Sequence, residues 1–443
     1  MGAFGTMPLV RVLPCAGGGA VLLAMAAVKA AGLDRGSGWA VALCLVLLAL
    51  LALGILLRYE PCPLVCLCLL PIGLALFLRA LCMDHITYDY MDFLSQWAAF
   101  FRENGGFAAL NQPIGDYNVP YLYFLAAISY LKMPDLYAIK LFSMLFDVLL
   151  AWGGLRLARV FCPPDSAKPA IAFCLLLLLP TVILNGSFWA QCDALYGALT
   201  LHALACGLDH RPKASVVLLA LAFSFKLQTI FLLPLWCILW YTKRVKFTHL
   251  LLFPAAFFAV TVPALLAGRP LGTILGVYFR QTEQYSNQLT LNAPSLFTFI
   301  PSGMEVNVPL FSRLGILAAA TLVLALLARL FFRRKSVTDA QLLTAAVILA
   351  VGVPLLLPSM HERYFFLADT LTVVWACINF RRAPSAVAVQ LASLSAYCTY
   401  LRLQYTLPLK IGPYYFVMGL EALLLLLVLV RACFLLGKQR NTK

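Results

Sequence analysis

The chain is a series of apolar runs near the roughly 20 residues that a helix needs to cross a hydrocarbon core, with short polar connections between them. Runs at about 13 to 33, 38 to 57 and 62 to 82 predict three spanning helices. The pattern then changes from Met83 to about Asp135. "HITYDYMDFLSQWAAFFRENGGFAALNQPIGDYNVPYLYFL" alternates Trp, Phe and Leu with charges, which predicts helices lying in the membrane interface. A further span is expected at about 136 to 160, another up to Leu184, and one returning from "NGSFWAQCDALYG" to "DHRPK". The run from Ala214 to Tyr241 is interrupted by Lys226 and Gln228. As one tilted helix it would place "YTKRVK" on the wrong side of the membrane and invert every later loop. Two short segments meeting at "FSFKLQ" avoid this, and such broken segments occur only where their backbone faces protein or a water-filled cavity, so Lys226 is expected to border one. A helix at about 247 to 267 leads to a long polar loop, the next returns to "FFRRK", a pair brackets "PSMHERYFF", and a last pair ends at "GKQRNTK".

The expected architecture is therefore an all-α integral membrane protein of about 13 to 14 transmembrane helices. It forms a single polytopic domain over 1–443: N-terminal helices at 1–82, an outer loop with interfacial helices at 83–135, a core at 136–380 and C-terminal helices at 381–443. "AMAAVKAAG" imitates a signal peptide, but a first membrane helix lets the whole chain obey one orientation.

Composition sharpens this picture in three ways. The net charge of +15 comes from short basic clusters between apolar runs, which act as cytoplasmic anchors and require no nucleic acid. With a cytoplasmic N-terminus, roughly 20 of the Lys and Arg residues face the cytoplasm. The 14 Cys lie mostly inside apolar runs, where Cys is a small hydrophobe, and Cys62, Cys66 and Cys68 fit no zinc spacing. Asn185-Gly186-Ser187 is so close to a helix end that it carries no weight as a glycosylation acceptor.

The polar insertions that are not basic anchors, "TYDYMDF", "GDYN", "WAQCD", "FKLQ" and "HERYF", all fall on the outer side. They supply the carboxylates Asp89, Asp92, Asp116, Asp193 and Glu362, the cations Lys226 and Arg363, and the imidazole of His361. There is no phosphate-binding glycine loop and no serine-hydrolase elbow. A carboxylate base with cations near a phosphate suits sugar transfer from a lipid phosphate to a hydroxyl. Plainer readings compete at each position. Asp92 lies one turn from Asp89, Asp116 suits a turn, Asp193 suits a membrane-edge anchor, Lys226 could snorkel, and the His361 stretch could cap two helices.

Taken in order, "YDYMDFLSQWAAFFRENGGFAAL", "GDYNVPYLYFLAAISYL", "DLYAIKLFSMLFD", "FWAQCDALYGAL", "FSFKLQTIFLLP" and "MHERYFF" resemble the prokaryotic relatives of the second mannosyltransferase of glycosylphosphatidylinositol assembly, members of the GT-C superfamily. The resemblance covers about residue 84 to residue 370. It implies a GT-C-like core, a polyprenyl-phosphate sugar as donor, a glycan or lipid acceptor and an active site outside the membrane. Asp89 matches the catalytic Asp of the first outer loop, with Asp92 as the alternative. Trp189, Gln191 and Asp193 match a Trp-Gly-Gln-x-Asp element in which Ala190 replaces Gly. Lys226 and Gln228 match Phe-Lys-x-Gln, and His361, Glu362, Arg363 and Tyr364 match His-Glu-Arg-Tyr. On this reading Lys226, His361 and Arg363 bind the donor phosphate, and Asp116, Trp189, Gln191, Asp193, Gln228, Glu362 and Tyr364 contact substrate.

The site chemistry and the resemblance together lead to the expectation of an inverting glycosyltransferase in a bacterial cell membrane that moves a hexose, mannose first among the candidates; the resemblance does not fix the sugar, no cofactor is required and a divalent metal is left open. A transporter or lipid flippase is the alternative; it would place polar groups near the midplane, often in repeated halves, and no repeat is visible. A noncatalytic scaffold would tolerate loss of any single carboxylate.

Orientation is testable directly. In a background without the native Cys, Gln281→Cys and Ser359→Cys are expected to react with impermeant thiol reagents from outside intact cells, while Lys213→Cys and Lys335→Cys are not. External labelling at position 213 would invert the topology.

Overall fold

The computed structural model describes residues 9–283, 285–402 and 408–438; the end of the basic "GKQRNTK" cluster lies outside them. The chain is built almost entirely of helices: α1 (Leu9–Ala31), α2 (Gly38–Tyr59), α3 (Cys62–Leu81), α4 (Ser95–Glu103), α5 (Val119–Ile128), α6 (Asp135–Arg159), α7 (Lys168–Leu178), α8 (Pro180–Ile183), α9 (Asp193–Leu208) and α10 (Pro212–Phe225). These are followed by α11 (Leu233–Tyr241), α12 (Phe247–Leu250), α13 (Leu252–Leu266), α14 (Leu271–Glu283), α15 (Val308–Phe331), α16 (Asp339–Leu356), α17 (Phe366–Ile378), α18 (Ala383–Leu401) and α19 (Phe416–Lys438). The only strands among the described residues are two-residue pairs, β1 (Thr290–Leu291) with β2 (Met360–His361), and β3 (Lys410–Ile411) with β4 (Tyr414–Tyr415). The protein is an all-α, polytopic integral membrane protein.

Among the described residues 8 helices are long and apolar enough to cross a membrane, or 9 if the bent pair Lys168–Leu178 and Pro180–Phe188 is one span. This is fewer than the 13 to 14 expected. The difference lies in the bent pair, in the shorter apolar helices α9, α10 and α17 and the segment Leu227–Tyr241, and in α18, which is not among the apolar spans. Pro180 cannot continue α7, and the chain bends by 47° there. The run from Ala214 to Tyr241 is a helix to Phe225, a 3-10 turn from Leu227 to Leu232, and a helix from Leu233, so the break falls at Lys226 as expected. The expected return from "WAQCD" is a helix of 16 residues.

The chain divides into two compact units interleaved in sequence. One runs through Ala205 and includes Leu218–Lys226 and Pro254–Val277; the other comprises Cys206–Val217, Leu227–Phe253 and the chain from Tyr278 onward. In the first unit, α1 and α3 approach so closely that a Cβ on Gly73 would lie 2.5 Å from the Gly19 carbonyl oxygen. Small residues at such a crossing let two membrane helices pack through their backbones. The stretch expected to be interfacial is a π-helical turn (Tyr90–Leu94), then α4, a 3-10 turn (Gly106–Asn111) and α5. In the second unit α16 is buried all round, opened by a capping box in which Thr338 and Gln341 satisfy each other's backbone N–H groups. By contrast, α15 leaves most of its surface open, as a helix facing lipid does. All 14 Cys are free thiols.

Candidate active site

The loop that carries Asp89 is held by the first turns of α6. The Lys140 ammonium, fully buried, donates to the carbonyls of Cys82 (2.7 Å), Met83 (3.1 Å) and His85 (2.6 Å). These lie at and just beyond the C-terminus of α3, where carbonyls lack helical partners and the helix dipole favours a cation. One turn earlier the Tyr137 hydroxyl donates to Asp84 (2.6 Å), and the Tyr90 hydroxyl donates to Asp135 at the start of α6 (2.9 Å). Burial, and then the Asp135 carboxylate, push the Tyr90 phenol well above its usual range. His85, its ring stacked on Phe188 at 3.6 Å, is pushed below the usual imidazole value by partial burial and by Lys140.

The second structural piece is residues 184–193. The chain passes through a π-helical turn (Leu184–Phe188) and then leaves helix until Asp193 opens α9. Such backbone inside an apolar protein needs a partner for each polar group. Gly186 allows the turn to approach α6, since a Cβ there would stand 3.0 Å from that of Ser143. The Ser143 hydroxyl donates to the Gln191 carbonyl (2.8 Å), Thr87 donates to the Trp189 carbonyl (3.0 Å), and the Gln191 N–H donates to the Asn185 carbonyl (2.8 Å). Ala190, between them, adopts φ 66, the left-handed region. A glycine would take this φ without the strain that a Cβ brings.

The consequence is that two side chains two residues apart converge on one oxygen. Trp189 Nε1 donates to Asp89 Oδ2 at 2.9 Å, and Gln191 Nε2 donates to the same atom at 2.6 Å. Asp89 is partly buried and oriented by both, whereas Asp92 is exposed on the π-helical turn. Asp116 is exposed in the loop before α5, and the hydroxyl of its neighbour Tyr117 donates to Gln191 Oε1 at 3.1 Å. Asp193 is fully buried. Its Oδ1 accepts from Lys226 Nζ at 2.5 Å, its Oδ2 from Asn185 Nδ2 at 2.6 Å, and its own N–H donates to Asn185 Oδ1. Lys226 therefore already has a carboxylate partner, and its Nζ also lies 5.4 Å from the centre of the Tyr117 ring.

The remaining expected residues belong to the second unit. Gln228 is buried in the 3-10 turn after Lys226, and its Oε1, like the Thr229 hydroxyl, has no partner among the described residues. His361 lies in β2, which pairs in parallel with β1, bringing the long polar loop against it in the register Leu291 to His361. Ser359, at φ 59, fastens that loop, its hydroxyl donating to the carbonyls of Gln288 (2.8 Å) and Tyr285 (3.1 Å). The His361 ring meets Tyr285 edge-on at 5.0 Å and Tyr364 at 5.1 Å. Arg363 pairs with the buried Glu362 at 3.3 Å, and its guanidinium stands 6.0 Å from the Tyr364 ring. Among the described residues no three of His, Cys, Asp and Glu gather to form a metal site.

Several of these partners were not singled out from the sequence. Thr87 and Ser143 act through backbone carbonyls, which leave no sequence signal. Lys140 and Asp147 did leave one: ionisable groups inside an apolar run, each costing roughly 3 kcal/mol at a bilayer centre unless partnered. Asp147 pairs with Arg79 of α3 at 2.9 Å, both side chains buried. No protein-family model matches the chain, and no curated protein does.

The left-handed conformation at Ala190 leads to a paired prediction. Ala190→Gly relieves about 1 kcal/mol of backbone strain against a similar loss from one buried methyl, and is expected to leave the melting temperature in detergent within a few degrees of wild type. Ala190→Val adds a β-branched side chain to the same φ and should lower it by several degrees, at about 2–4 °C per kcal/mol lost. Equal melting temperatures for the two variants would refute the strained backbone.

Proposed function

We propose that this protein is a GT-C-type membrane glycosyltransferase that moves a hexose, mannose first among the candidates, from a polyprenyl-phosphate donor to a hydroxyl of a lipid-linked or surface acceptor, with inversion, on the outer side of a bacterial cell membrane. The observation that carries the reading is the Asp89 carboxylate, at the start of the π-helical turn after α3 and oriented by N–H donors from Trp189 and Gln191. A carboxylate held in one orientation is suited to take a proton from an acceptor hydroxyl. As the proton passes to Asp89, the acceptor oxygen attacks the anomeric carbon from the face opposite the lipid phosphate; the bond to that phosphate breaks and the phosphate leaves with the electron pair. No protein nucleophile is needed.

Charge then builds on the leaving phosphate, where a cation stabilises the transition state. Arg363 stays charged at any accessible pH and presents a planar fork for phosphate oxygens, with His361 beside it. Lys226 shares this role only through the neutral pair it forms with Asp193. The buried, unpartnered Gln228 Oε1 supports a substrate contact for that side chain. Trp189, Gln191 and Asp193 serve by holding Asp89 and its surroundings, and Asp116, Glu362 and Tyr364 remain candidate substrate contacts. The reaction on this reading needs no cofactor.

Purified protein in lipid, given labelled polyprenyl-phosphate mannose, glucose or arabinose and acceptor extract, is expected to transfer one of the sugars. Asp89→Asn should lower transfer about 10²- to 10⁴-fold, the usual contribution of a positioned base, while Asp92→Asn is much milder. Arg363→Ala should weaken use of the donor by about 1.5–3 kcal/mol, the loss of one charge-assisted contact. Normal transfer by Asp89→Asn at normal protein level would reject the base, and unchanged donor kinetics in Arg363→Ala would reject the phosphate role.

A further inference from the structure

We infer that Tyr117 is a positioning residue that fixes the direction of the hydrogen bond between Gln191 and Asp89; its effect on catalysis rests on the glycosyltransferase reading. A glutamine amide has a donor end and an acceptor end, and rotating it by half a turn exchanges them at little steric cost. The amide of Gln191 stands between a carboxylate oxygen at 2.6 Å and a phenol oxygen at 3.1 Å. An ionised carboxylate accepts only, so Nε2 faces Asp89, Oε1 faces Tyr117, and the phenol is the donor. The chain from the Tyr117 hydroxyl through Gln191 to Asp89 Oδ2 therefore runs in one direction. Without the hydroxyl, the acceptor end of the amide loses the partner that distinguishes it. A reversed amide would set its carbonyl oxygen against Asp89 Oδ2, repelling the carboxylate from the position it shares with Trp189.

The ring of Tyr117 is held independently of its hydroxyl. It packs edge-on against Trp97 at 5.5 Å and Tyr121 at 4.9 Å. Its face lies 5.4 Å from Lys226 Nζ, the partner of Asp193. Two residues before it, Gly115 takes φ 72 where a Cβ would meet the Trp97 ring at 3.2 Å, and one residue after it Asn118 opens α5 by accepting from the Val119 N–H. Tyr117 thus touches the partners of two acids: its hydroxyl serves Asp89 through Gln191, and its ring face lies against the cation paired with Asp193. The substitution Tyr117→Phe removes the first contact and leaves the ring contacts in place.

The test is a double-mutant cycle of Tyr117→Phe and Gln191→Met. With labelled polyprenyl-phosphate mannose, Tyr117→Phe is expected to lower kcat about tenfold through misplacement of the base, with KM for the donor unchanged. Because Tyr117 acts through Gln191, adding Tyr117→Phe to Gln191→Met should cost nothing further. Full activity in Tyr117→Phe, a change in KM alone, or losses that multiply in the double variant would each overturn the assignment. If the wild-type protein transfers no sugar from any donor, the glycosyltransferase reading fails, and the same cycle is read by melting temperature: non-additive shifts uphold the directional chain, and additive shifts refute it.

Discussion

A buried ammonium and carboxylate 2.5 Å apart, Lys226 and Asp193, join two places in the first unit where the chain leaves helix among apolar residues. One is the end of α10, where the chain tightens from α-helix after Phe225; the other is the segment from Leu184 to Cys192 that opens into α9. Each break exposes backbone polar groups, and each brings a charge that apolar surroundings tolerate only when paired. The pairing lets one break answer the other. With Asp193 fixed at one end by Lys226 and Asn185, the chain from Trp189 to Cys192 is short enough that its course is set, and the left-handed turn at Ala190 aims Trp189 and Gln191 together at Asp89.

The same logic recurs along α6. Lys140, Ser143 and Asp147 follow at intervals of three and four residues, which places them on one helical face. Lys140 takes up the carbonyls after α3, Ser143 takes up the Gln191 carbonyl, and Asp147 pairs with Arg79. One polar stripe on a long apolar helix thus organises both the stretch after α3 and the buried segment. Removing either charge of the Arg79 pair would leave the other buried without this partner, at considerable cost in an apolar helix.

Much of this was legible in the sequence, and the limits have physical causes. The class of protein follows from apolar runs alone, and the helix break at Lys226 follows from weighing where the basic cluster "YTKRVK" would otherwise fall. The number of crossings does not follow, because hydropathy counts apolar residues and is blind to a proline such as Pro180 or to a helix of 13 residues such as α17. The convergence on Asp89 was only partly legible. Trp189 and Gln191 stand out as polar or aromatic groups at the end of an apolar run, yet that residues at positions i and i+2 point to one atom depends on the φ of Ala190, which a residue type does not reveal. Tyr117 was hidden beside the more conspicuous Asp116, and Asn185 inside a motif that reads as a surface feature but is fully buried. The division into two interleaved units left no trace in the hydropathy pattern.

The dependence on the Asp193 and Lys226 pair is open to one direct measurement: thermal unfolding in detergent of Lys226→Met, Asp193→Asn and the double variant. Breaking a buried pair from one side typically costs about 3–5 kcal/mol, because the remaining charge has no partner, whereas removing both charges is far milder. The account predicts a large drop in melting temperature for Lys226→Met and substantial recovery when Asp193→Asn is added. Melting temperatures for Lys226→Met at the wild-type value, or a double variant as unstable as the sum of the singles, would contradict it.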